Sequence, residues 1–82
     1  MSSISHVIEE INKIDEKFKK LIALNQRQAA DTIGVSSSTM ESWRREGLGP
    51  SYIKMNNGKR GRVLYPKTAI AEWLVNRSVI TA

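Results

Sequence analysis

The 82 residues suit one small domain with one modest core, and a hydrophobic share of 40% argues against disorder throughout. With no cysteine, disulfide staples and thiolate-bound metal are excluded, and the composition fits a reducing cytosol. Net charge is +5, and all of it lies in residues 23–82, because residues 1–22 set four lysines against four acids. A basic unit joined to a neutral appendage suggests a polyanion-binding domain, against the plainer reading of a solvated basic surface.

Residues 1–22 carry Ile4, Val7, Ile11, Ile14, Phe18 and Leu21 at alternating spacings of three and four, an a/d seam of about two and a half heptads. One serine of the first five can cap this amphipathic helix. The seam either pairs with a second copy, giving a homodimer through those six residues, or lies across the domain's own core. The spacing tips the reading slightly towards self-association, although so few heptads make a weak coiled coil. His6 falls on this helix near its free end and reads as surface.

From Leu24 to Trp43 the chain reads L-N-Q-R-Q-A-A-D-T-I-G-V-S-S-S-T-M-E-S-W, two short helices about a tight turn. Asn25 and Gln28 have capping-box spacing, and Ala30 is small enough for a second helix to cross closely. Gly34 supplies a positive φ at the turn, Val35 plugs it, and Ser36 caps the next helix. Met40 and Trp43 fall on that helix's inward face. This is a helix-turn-helix, a motif that presents its second helix to the DNA major groove.

The second helix ends near Gly47, and Gly49-Pro50 prevents its continuation. Residues 51–55 and 62–65 then read as two strands around the loop Asn56-Asn57-Gly58-Lys59-Arg60-Gly61, a hairpin placed as a wing. Pro66 is expected to open a last helix in which Ile70, Trp73, Leu74 and Arg77 share a face, with 78–82 as a frayed tail. The predicted organisation is therefore an N-terminal amphipathic helix (1–22), a winged helix-turn-helix (23–77) and that tail. The fold class is mainly α with a small β-hairpin.

The run T-M-E-S-W-R-R-E-G-L-G-P-S-Y-I-K, followed by R-V-L-Y-P-K-T-A-I-A-E-W-L, resembles the small winged helix-turn-helix domains of phage excisionases and AlpA-type regulators. These are related to the DNA-binding half of MerR-type regulators. The resemblance covers residues 23–76, and its most specific parts are W-R-R-E-G-L-G-P and the Tyr65-to-Trp73 spacing. It implies a bacterial, phage or mobile-element protein that binds double-stranded DNA, as a transcription regulator or a factor directing site-specific recombination. A recombinase or RNA polymerase would be the corresponding protein partner. In MerR-type proteins a dimerisation helix and effector domain follow this unit, and residues 78–82 are too few for either, so small-molecule sensing is not expected. The heptad helix lies outside the minimal excisionase pattern.

Helical periodicity sets Ser37, Ser38, Glu41, Ser42 and Arg45 facing away from the core, with Thr39 and Arg44 flanking. Short hydroxyl side chains in a first turn suit close approach to bases and phosphates, and arginine takes phosphate or the O6 and N7 of guanine. In the wing, Lys59, Arg60 and Arg62 cluster around Gly58 and Gly61, as a phosphate or minor-groove contact would require. Arg27 and Lys54 are weaker phosphate candidates, and Tyr52, Tyr65 and Trp73 read as core rather than as stacking platforms for single strands. Glu9-Glu10 and Asp15-Glu16 are adjacent pairs that share no helix face, and the sequence shows no metal-ligand spacing, phosphate loop or nucleophile–base set. The expectation is a non-enzymatic, cofactor-free cytoplasmic protein associated with the nucleoid, with no membrane segment. The alternative is a protein-interaction adaptor working through the heptad helix, which would have no use for a basic wing; RNA binding stands third, with none of the usual RNA-module motifs.

Overall fold

The heptad spacing over residues 1–22 predicts one helix, and the computed structural model, which describes residues 3–57 and 60–77, divides it. Helix α1 (Ser3–Ile14) ends before Asp15, whose backbone is extended at φ −152° and ψ 133°. The Asp15 carboxylate accepts from the Lys17 backbone N–H at 2.9 Å and starts a second short helix, α2 (Glu16–Lys19). An aspartate that satisfies the orphan donors of a new helix competes with continuation of the old one. The break turns Phe18 inward. Ile11 and Phe18 join the core, and Val7 and Leu21 pack against it. Ile4 is half-buried, and Ile14 is left 53% exposed. The seam is thus largely occupied within its own domain, where α1 lies along the C-terminal helix α5 (Lys67–Arg77).

Three strands form one antiparallel sheet in the order β1-β3-β2: β1 (Ala23–Asn25), β2 (Ile53–Asn57) and β3 (Arg60–Pro66). The first of them is absent from the sequence reading. Leu24 sits opposite Tyr65, and both are buried, at 0% and 1% exposure. The hairpin strands begin and end about two residues from their expected positions. Pro66, expected in the last helix, instead closes β3 opposite Ala23, and the Lys67 N–H donates to the Ile22 carbonyl at 2.9 Å. Proline has no N–H to give to a ladder, so a strand's final position suits it.

The helix-turn-helix, α3 (Gln26–Ile33) and α4 (Ser37–Arg45), follows β1 directly, and α3 packs on β1 and β3. The Asn25 side chain accepts from the Gln28 N–H at 2.7 Å, and the Gln28 side chain accepts from the Asn25 N–H at 2.9 Å, so the expected capping box is complete. Gly34 takes φ +96°, which brings its own N–H and that of Val35 onto the Ala30 carbonyl at 2.8 and 2.9 Å. A side chain would resist that left-handed conformation. Ser36 caps α4 by accepting from Thr39 N–H at 3.1 Å. Ala29 and Ala30, 0% and 1% exposed, let the two helices approach over Met40. Trp43 meets Trp73 of α5 with ring centroids 5.4 Å apart and planes tilted by 44°.

Among the described residues one charged side chain is buried in this core. Lys67 is 8% exposed, and its ammonium donates to Asn12 Oδ1 at 2.6 Å and to the Phe18 carbonyl at 2.7 Å. Burial lowers its pKa, and the two oxygens offset part of the desolvation cost. It fastens α5 to both N-terminal helices. Residues 78–82, expected to fray, lie outside the described residues. Among the described residues no helix is long and apolar enough to cross a membrane.

Candidate nucleic-acid interface

Helix α4 turns Met40 into the core, which leaves an opposite stripe at positions 38, 41, 42 and 45, spaced three and four apart. Ser38, Ser42 and Arg45 are exposed on it, as expected from the periodicity. Glu41 is half-buried, and its carboxylate accepts from Arg45 Nη2 at 2.6 Å. An exposed pair of this kind contributes only about 0.3–0.5 kcal/mol, so the Arg45 side chain is available to a competing anion. Arg27 is exposed in the first turn of α3.

The other three candidates on α4 are held by protein groups. Thr39 Oγ1 lies 2.9 Å from Ser36 Oγ, which ties it to the helix cap. Ser37 Oγ accepts from Gln26 Nε2 at 3.1 Å, while the Ser37 carbonyl accepts from the same amide at 3.2 Å. Arg44 is half-buried, with Nη2 at 3.4 Å from Gln26 Oε1 and its guanidinium 6.0 Å from the Tyr52 ring centroid. Its Nε is buried without a hydrogen-bond partner. Burial pushes the Tyr65 phenol above its ordinary pKa, and the charge of Arg44 opposes that shift.

Tyr52 corrects an expectation. It was expected in the core with Tyr65 and Trp73, yet it is 42% exposed, with its ring centroid 6.0 Å from that of the buried Tyr65. With Arg44, Gly49 and Ser51 it lines a cleft of about 320 Å³ where α4 gives way to β2. Gly49 there has φ +83°, and a Cβ on it would stand 3.3 Å from Trp43 Cβ. The close approach of this turn to the tryptophan requires glycine.

Register decides how the wing presents its charge. Lys54 pairs with Val63, and Met55 pairs with Arg62. Alternation therefore puts Lys54 on the sheet face that carries Tyr65, and Arg62 on the opposite face with Ile53, Met55 and Leu64. Both cations are exposed. Arg62 borders a cavity of about 320 Å³ shared with Leu21, Asn25, Gln28 and Leu64. Lys59 lies outside the described residues, as does the Arg60 side chain; the Arg60 backbone pairs with Asn57. The expected basic cluster is thus described at Arg62 alone.

Sequence reasoning passed over Gln26, the residue that joins Ser37 to Arg44. Its only local signal is its place directly after the Asn25 cap, and its partners are 11 and 18 residues away.

A family model described as "Helix-turn-helix domain" matches residues 23–78. Two curated proteins are similar over 54 residues at 32% identity: "Terminase small subunit" of Escherichia phage lambda and "DNA-packaging protein NU1 homolog" of Escherichia coli (strain K12). The similarity covers 66% of this chain and 28% of each relative, so the chain spans little more than a quarter of the curated relatives it matches. No solved structure matches at comparable significance.

Proposed function

The chain belongs to the helix-turn-helix domain family, of the excisionase-like kind, and from that membership we propose that it binds double-stranded DNA in a sequence-selective manner. The observation that carries this reading is the outward stripe of α4, where Ser38, Ser42 and Arg45 stand exposed on the second helix of the pair. In this motif the second helix enters the major groove, and short hydroxyl side chains with one arginine can accept close contact with base edges and phosphates. Arg27 would meet the backbone from the preceding helix. Lys54 and Arg62, with Lys59 and Arg60 between them in the sequence, would serve the adjacent backbone or minor groove. Ser37, Thr39 and Arg44 stand in the same surface but are already tied to neighbouring groups.

The role is that of a binding module and not of a catalyst. Family membership supports DNA binding. Within it we read the role as that of a transcription regulator or a recombination directionality factor, acting beside RNA polymerase or a recombinase, as the excisionase-type resemblance implies. The names of the two relatives favour a second setting, DNA packaging, in which the same surface would mark a site on phage-type DNA. A random duplex pool offered to the protein at two salt concentrations, followed by sequencing of what is retained, tests the shared claim. Steep loss of binding with salt together with an enriched motif is the expected result. No retention at low salt would refute DNA binding and move attention to the N-terminal helices as an adaptor surface.

A further inference from the structure

We infer that Gln26 is a positioning residue of the DNA interface, one that presents the Ser37 hydroxyl as a hydrogen-bond donor to the duplex. The inference rests on the duplex-binding reading above and adds a residue and a chemical polarity to it. Gln26 is the first residue of α3, directly after the Asn25 cap, yet its side chain reaches across to the recognition helix. The amide nitrogen donates there to the Ser37 carbonyl at 3.2 Å and to Ser37 Oγ at 3.1 Å. The amide oxygen faces Arg44 Nη2 at 3.4 Å. The amide therefore has one orientation that serves all three contacts, nitrogen towards Ser37 and oxygen towards Arg44.

This orientation has a chemical consequence. A serine hydroxyl has one hydrogen to give and two lone pairs to accept with. Gln26 occupies a lone pair of Ser37 Oγ and leaves the hydrogen for an outside acceptor. Ser37 is exposed in the first turn of α4, next to the stripe formed by Ser38 and Ser42. On duplex DNA the matching acceptors are a phosphate oxygen, or N7, O6 and O4 at base edges. With a carboxylate at position 26 the polarity would reverse: the hydroxyl would donate inward and meet DNA with its lone pairs. Arg44 would keep its oxygen partner in that variant. That one substitution thus keeps the oxygen facing Arg44 while it reverses the Ser37 hydroxyl and removes the donor to the Ser37 carbonyl.

The test compares the parent, Gln26→Glu, Ser37→Ala, the double variant and Gln26→Met on the duplex enriched from the pool and on an unrelated duplex. A urea midpoint is measured for each protein, so that any loss of folding is read separately from loss of binding. Gln26→Glu and Ser37→Ala should each weaken binding by about tenfold, as loss of one hydrogen bond to a charged or well-placed acceptor implies. The double variant should be no weaker than Gln26→Glu alone, and Gln26→Met, which leaves the Ser37 hydrogen free but unaimed, should lose less than Ser37→Ala. Loss confined to the enriched duplex would place the acceptor on a base edge. Equal loss of the Ser37→Ala protein on both, with an unchanged salt slope, would place it on a phosphate. Losses that multiply in the double variant, or a Gln26→Glu protein that binds like the parent, would overturn the role of Gln26 while leaving DNA binding intact. A parent that retains no duplex at low salt would overturn both.

Discussion

The Lys67 ammonium lies 2.7 Å from the Phe18 carbonyl oxygen and joins the C-terminal helix to the short helix that follows Asp15. The same ammonium takes Asn12 Oδ1 at 2.6 Å, so α1, α2 and α5 meet at one buried charge. An N-terminal segment fastened in this way belongs to the domain's own core.

Ile11→Ala should therefore lower stability by about 2–5 kcal/mol, the usual cost of truncating a buried aliphatic side chain. Ile14→Ala, at a 53% exposed position, should stay within about 0.5 kcal/mol of the parent. Urea midpoints of the two variants check the contrast. A seam used mainly by a second copy would instead make both variants lose mass in sedimentation.

Gly49→Ala should cost about 1–2 kcal/mol, the price of a left-handed conformation at a residue with a Cβ. The new methyl would also stand 3.3 Å from Trp43 Cβ. Tryptophan fluorescence is a suitable readout, because Trp43 leans on Trp73 and should report the shift as well as the unfolding.

In the duplex assay, Lys54→Ala and Arg62→Ala should weaken binding to every sequence and flatten the salt slope by roughly 0.9 per lost phosphate contact. Ser38→Ala and Ser42→Ala should change which sequences are retained and leave the slope as it was. Glu41→Ala removes the carboxylate that takes Arg45 at 2.6 Å and should tighten binding at low salt.

Alkaline stability should fall as pH rises above the ordinary tyrosine value of 10.0. Burial raises the Tyr65 pKa, so the unfolded chain releases that proton first and gains stability relative to the fold. Lys67 has the opposite sign: its lowered pKa makes the folded protein release a proton before the unfolded chain does, and stability gains as pH approaches 10.5. Tyr65→Phe should remove the fall and leave the gain, which urea midpoints between pH 8 and 11 would show.

Local signals in the sequence carried the helix-turn-helix well. The Asn25–Gln28 box, the Gly34 turn and the Ser36 cap are contacts between residues three or four apart, and all appear in the structure. What local spacing did not carry were partnerships across the chain. Strand β1 exists because Leu24 finds Tyr65, 41 residues away by number, and three residues offer no periodicity of their own. A lysine opening a helix is ordinarily solvated, and nothing near Lys67 announces Asn12 or Phe18 as its partners. Asp15 was legible in principle, since an aspartate two residues before Lys17 is a capping signal, but the heptad spacing on either side outweighed it. On the recognition helix, periodicity separated inside from outside and could not foresee that Gln26 occupies Ser37 and Arg44.

Asn25 is both the last residue of β1, paired with Leu64, and the cap of α3. With no spacer between strand and helix, a load on the hairpin passes through β3 into the first turn of the helix pair. Hairpin and reading head then respond to torque as one stiff tool, and twisting the first should cost stored strain in the second.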